Sequence, residues 1–157
     1  MSSARAAERT TRRRVFAAWS IEIPATFDET FVGPDGYWHA WDEHRSVSLT
    51  SVVLTEAQRA VDAERILREI PPLDGDPIDE LPRGLVGRAA TRGAPQPARA
   101  SRLIAGMLAM DGRPLVATIA ADDHSWCRRT WLSIRGHDAS VPPGSRTRAN
   151  DGRAGCH

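Results

Sequence analysis

The sequence predicts an α+β domain: an antiparallel β-sheet of about six strands flanked by helices, in the order β-β-β-α-β-β-β-α. Three observations lead there. Apolar and polar residues alternate through much of residues 15–54. Asp111-Gly112 sits between two apolar runs, a strong signal for a two-residue hairpin. Around 60–70 and 122–134 the apolar spacing lengthens to that of a helix.

The elements follow in order. Val15–Ile23 alternates, with Val15, Ala17, Trp19, Ile21 and Ile23 on one side and Ser20 and Glu22 on the water side. Pro24 ends that strand, because proline has no ladder donor. Pro34-Asp35-Gly36 is a turn. Tyr37-Trp38-His39-Ala40-Trp41 is an aromatic strand. Asp42-Glu43-His44 reverses the chain into a strand over Arg45–Leu54, whose core residues are Val47, Leu49 and Val53. Three strands joined by short turns predict an antiparallel meander.

Thr55 and Gln58 have the spacing of a capping box, and Asp62 is a second possible helix start. Ala63, Ile66, Leu67 and Ile70 form the stripe of a helix over about 60–70, stopped by Pro71-Pro72. Residues 71–83 read as irregular and Leu85–Thr91 as a short strand. Gly93–Pro97 is a loop. Ala100–Met110 and Arg113–Ala121 form the Asp111-Gly112 hairpin, and apolar residues on both faces place it at the sheet's centre, covered on both sides. Asp122 and Asp123 open the last helix, with Trp126, Cys127, Thr130, Trp131 and Ile134 on its apolar stripe and Gly136 as its stop.

Composition bounds the rest. The 157 residues suit one domain. Residues 1–14, with Arg5, Arg9, Arg12, Arg13 and Arg14, and residues 138–157, rich in Pro, Gly, Ser and Arg, are expected to be disordered tails around a folded unit at 15–137. Net charge is +1 and every basic residue is Arg, which points to a high-GC bacterial genome. An Arg-rich start on a near-neutral domain gives only weak, salt-sensitive attachment to polyanions, so nucleic acid is not the expected partner. No run of about 18 apolar residues exists to span a membrane, and no secretory signal pattern is present. Cytoplasmic location, no framework disulfide between Cys127 and Cys156, and a monomer or weak homo-oligomer are expected.

The layout resembles the Mog1/PsbP-like fold. Phe16–Pro24 (FAAWSIEIP), the Asp111-Gly112 hairpin, and Asp122–Ile134 (DDHSWCRRTWLSI), closing on Leu132-Ser133-Ile134, carry the resemblance over about 15–137. The chain is also similar to short actinobacterial proteins of that layout. The resemblance implies a sandwich and a mostly non-enzymatic role. Members of the fold serve as photosystem II accessory subunits, partners of a small GTPase and cell-envelope proteins. It transfers no site residue to this chain.

Candidate chemistry is sparse. His39, Asp42, Glu43 and His44 offer metal-ligand types at one reversal, where polar residues also belong for their own sake. His124 and Cys127 are three apart and share a helical face, but Cys127 falls in the apolar stripe as a small hydrophobe. No catalytic motif is present, and neither cofactor nor metal is expected. The expected function is binding of a protein partner through Tyr37, His39, Trp41 and His44, with a small-molecule or lipid pocket between sheet and helix as the alternative.

Overall fold

The computed structural model describes residues 7–33, 36–52, 63–69, 71–93, 100–110 and 113–137. The expected capping box at Thr55–Gln58, Val53 and Leu54, Asp62, Ile70, the Pro34-Asp35 and Asp111-Gly112 turn residues, most of the Gly93–Pro97 loop and the segment 138–157 lie outside them. Two antiparallel sheets and two helices make up the described fold. The strands are β1 (Thr10–Val15), β2 (Trp19–Pro24), β3 (Asp28–Val32), β4 (Tyr37–Trp41) and β5 (Ser46–Ser51). After helix α1 (Ala63–Glu69) come β6 (Asp76–Ile78), β7 (Val86–Gly93), β8 (Arg102–Met110) and β9 (Arg113–Ala121). Helix α2 (His124–Leu132) and the two-residue β10 (Arg135–Gly136) complete it.

The large sheet has seven strands in the order β3-β4-β5-β9-β8-β7-β6, and the small one has the order β1-β2-β10. Met110 pairs with Arg113, so β8 and β9 form the expected hairpin, with β9 at the centre of the large sheet. Both sheet faces are covered here. Leu67 of α1 packs with Ala109 and Met107 on one face. Trp131 of α2 lies against Gly106 on the other. That second, inner face holds the main core. Trp38, Leu49, Ile104, Leu108, Leu115 and Ile119 pack there against Trp19, Ile21 and Ile23 of β2 and Trp126, Trp131 and Ile134 around α2. Burying one such tryptophan contributes up to about 4–6 kcal/mol at 25 cal/mol per Å². No helix among the described residues is long and apolar enough to cross a membrane.

The structure departs from the expected order at several points. Thr10–Arg14 is not tail but most of β1, paired along its length with β2. Its arginines are held individually. Arg12 donates to Ser20 Oγ, the Ser133 carbonyl and Glu22, Arg13 to Glu29, and Arg14 to the Ala17 carbonyl. A basic strand is ordered here because a ladder and matched acceptors offset its entropy. The expected single strand Val15–Ile23 is instead the end of β1, a three-residue turn and β2, with Val15 opposite Trp19. Phe16 takes a left-handed φ of 58° in that turn.

The meander is therefore β3-β4-β5, and β2 belongs to the other sheet. Ser20, expected to face water, is buried, because Arg12 and His137 satisfy its hydroxyl. β6 lies within the connection expected to be irregular. Asp123 caps α2 by accepting from the Ser125 and Trp126 N–H groups, while Asp122 accepts from Ser101 N–H. The helix stops at Ser133 and not at Gly136, because Ser133 N–H turns back to the Arg129 and Thr130 carbonyls and Gly136 joins β10.

Candidate functional site

Strand β4 sorts its aromatics by face. Trp38 and Ala40 are buried in the core. Tyr37, His39 and Trp41 therefore point to the outer face of the large sheet. Register fixes their neighbours. Tyr37 stands opposite Thr50, His39 opposite Ser48 and Trp41 opposite Ser46, and Ser48 in turn faces Thr118 of β9. Small hydroxyl residues on β5 thus leave the three rings uncovered on that side.

The rings form a ladder. His39 stacks on Trp41 with centroids 4.9 Å apart and planes 19° apart. Tyr37 stacks on His39 at 6.0 Å and 14°. The Ser48 hydroxyl ties the ladder down, 2.8 Å from His39 Nδ1 and 3.1 Å from the Tyr37 hydroxyl. Burial lowers the His39 pKa from its ordinary 6.5, against an opposing backbone hydrogen bond with Val47, so the ring is neutral at neutral pH. Tyr37 is 37 % exposed, and His39 and Trp41 are half-buried. The result is an uncharged, preordered aromatic surface with one shared polar anchor.

His44 does not join this group. It lies on the β4–β5 turn, exposed, with only a 3.8 Å approach to the equally exposed Glu43. It lines a separate open cleft of about 750 Å³ in which the charged groups of Glu8, Asp42, Arg45, Asp122, Asp123 and Arg129 surround apolar surface from Ala7, Ala121 and Trp126. The carboxylate of Asp42 is committed to Arg45 Nε and to the His44 and Arg45 N–H groups. Burial alone would raise the Asp42 pKa, but those hydrogen bonds and the Arg45 charge hold it below 3.8. Among the described residues no three His, Cys, Asp or Glu side chains converge as a metal site.

Sequence reasoning missed Arg45. Its guanidinium lies 5.2 Å from the Phe27 ring centroid and 5.1 Å from that of Trp126, and it pairs with both Asp42 and Glu8. The Glu8 hydrogen bonds are the largest cause of its raised pKa. This knot fastens the β4–β5 turn to α2 and is a structural device. The only local signal was the Asp42-x-x-Arg45 spacing. It also missed the 2.6 Å contact between Ser20 Oγ and His137 Nε2. A hydroxyl on an imidazole is a nucleophile–base arrangement in other settings. Here Ser20 is 1 % exposed and out of reach of any substrate, so the pair clasps β10 to β2.

The His124–Cys127 pair is likewise not poised for catalysis. Cys127 is fully buried, and burial, with the nearby charge of Asp123, pushes its thiol up to about 11. The thiolate that nucleophilic chemistry needs is thus suppressed. In comparison with known proteins, the chain matches no protein-family model and no curated protein.

Proposed function

We propose that this domain is a non-catalytic interaction module that binds a protein partner across the outer-face ladder of Tyr37, His39 and Trp41. The stacked, partly exposed geometry of these three rings carries the reading. Tyrosine and tryptophan supply large contact area with few rotamers to freeze, and they dominate binding energy at protein interfaces. Stacking and the Ser48 anchor lower that ordering cost further. The resemblance to Mog1/PsbP-like proteins, mostly accessory or partner-binding, runs the same way. The small-molecule alternative needs room between the large sheet and α2. The fully buried Trp131, seated on Gly106, fills the middle of that interface and leaves open clefts at its edges, such as the one beside Trp126 and Arg129, which favours the protein-partner reading.

The test is affinity capture from the host with three baits: wild type, Tyr37→Ala/Trp41→Ala, and Leu73→Ala as a distant surface control. Circular dichroism confirms that each is folded. A partner held by wild type and control and weakened about tenfold or more by the double substitution is the expected result. Equal capture by all three baits, or no partner on the wild type, rejects the reading.

A further inference from the structure

The large sheet ends in two edge strands, β3 and β6. They are not equivalent. β6 is three residues long with Pro77 at its centre, and a short edge with a proline resists pairing with another chain. β3 has five residues, all exposed, with no proline and no basic residue. Phe31 is 53 % exposed and Val32 63 %. The inner side of β3 pairs with β4 from Asp28 to Val32. No described strand pairs with its outer side, so alternate N–H and C=O groups face outward.

We infer that β3 is the seam of a homodimer, in which a second copy of this chain pairs antiparallel along it and the two large sheets become one. The sequence of β3 is self-complementary about one position. A two-fold axis at Thr30 pairs all five residues: Asp28 with Val32, Glu29 with Phe31, and Thr30 with its counterpart. No carboxylate lies directly opposite another, and the two Glu29 side chains are diagonal neighbours on one face. Moving the axis to Glu29 sets two carboxylates face to face, and moving it to Phe31 leaves both Asp28 and Glu29 beyond the paired segment. One of the two edge charges is already offset within each copy, because Glu29 accepts from Arg13 at 2.6 Å. An isologous two-fold contact of this kind closes at two copies. An axis normal to the sheet preserves its faces, so both Tyr37–His39–Trp41 ladders open on the same side. The inference does not depend on what the ladder binds.

Sedimentation equilibrium of the full chain up to about 1 mM tests it. The expected mass rises toward twice 17.2 kDa. Val32→Glu, which sets a carboxylate directly opposite Asp28 of the second copy, moves the midpoint to concentrations about tenfold or more higher. Leu73→Glu leaves it in place. Thr30→Cys in a Cys156→Ser background supplies a second measurement that does not depend on the fold of the glutamate variant. Directly opposed antiparallel residues have Cα atoms about 4.5–5.5 Å apart, within disulfide reach, so oxidation yields a covalent dimer. A monomer at every concentration, a dimer indifferent to Val32→Glu, or failure of the cross-link overturns the assignment.

Discussion

Trp131 joins three parts of the chain through one side chain. Its ring rests on β8, where a Cβ added to Gly106 would lie 2.4 Å from the ring. Its indole N–H donates to the Glu80 carbonyl at 3.0 Å, which draws in the segment after β6. Glu80 also pairs with Arg128 one turn earlier on α2. Truncation therefore removes buried area, opens a cavity and orphans a carbonyl. Trp131→Ala should lower unfolding free energy by about 3–5 kcal/mol, read from urea denaturation. An unchanged midpoint would show that the ring is not core. The stripe Trp126, Cys127, Thr130 and Trp131 was readable from helical spacing, and all four residues are buried. The Arg45 knot was not, since its partners Glu8, Phe27 and Trp126 are distant in sequence. Alternation placed Tyr37, His39 and Trp41 on one face, but only the burial of Trp38 and Ala40 in the folded chain settled that this face is the outer one. His44 was grouped with them by proximity in sequence, and the turn carries it elsewhere.

At the scale of elements, strands with strong apolar alternation were located closely: β4, β5, β8 and β9. The β1–β2 hairpin was hidden by its own regularity. Val15 and Trp19 are cross-strand partners on one face, so the alternation runs unbroken through the turn. The turn residues, Phe16-Ala17-Ala18, include no glycine, proline or asparagine to mark it. A bulky residue at φ 58° is strained by roughly 1–2 kcal/mol. Two Arg14 bonds to the Ala17 carbonyl and the edge-on contact of Phe16 with Phe31 hold it there. Phe16→Gly and Phe16→Ala both lose that ring contact, and only glycine relieves the backbone. Phe16→Gly should be the more stable of the two by about 1 kcal/mol in thermal melts. The opposite order would show that the turn carries no such strain. β3, β6 and β10 were missed because an exposed edge strand and very short strands leave no apolar pattern.

At the scale of the molecule, the α+β class with an antiparallel sheet was readable and the division into two sheets was not. The small sheet joins β1 to the last described strand through β2, a pairing no local pattern announces. The fold as a whole has an acid sensitivity. Burial lowers the pKa of His39, and burial with the charges of Arg14 and Arg12 lowers that of His137. Both rings stay neutral in the fold, whereas in the unfolded chain they take up protons near 6.5. The unfolded state then binds more protons, so stability is full above 6.5 and is lost as pH falls through the lowered folded values. Asp42 adds a second loss below 3.8, with the same sign. The melting temperature should fall on acidification below about pH 6.5, and His39→Gln/His137→Gln should flatten the upper part of that fall. The step is small, because both rings are partly exposed and solvent-screened. A wild-type melting temperature constant down to pH 5 would reject the linkage.

The clasp of β1, β2 and β10 also has a mechanical meaning. Thr10 pairs with Pro24 at one end of β2, while Gly136 pairs with Trp19 at the other and His137 N–H donates to the Ala18 carbonyl just beyond. The chain therefore leaves Thr10 and His137 in opposite directions along the same strand axis. Tension applied between these residues loads the small sheet in shear. Its hydrogen bonds, lying across the pull, bear the force together instead of unzipping one at a time.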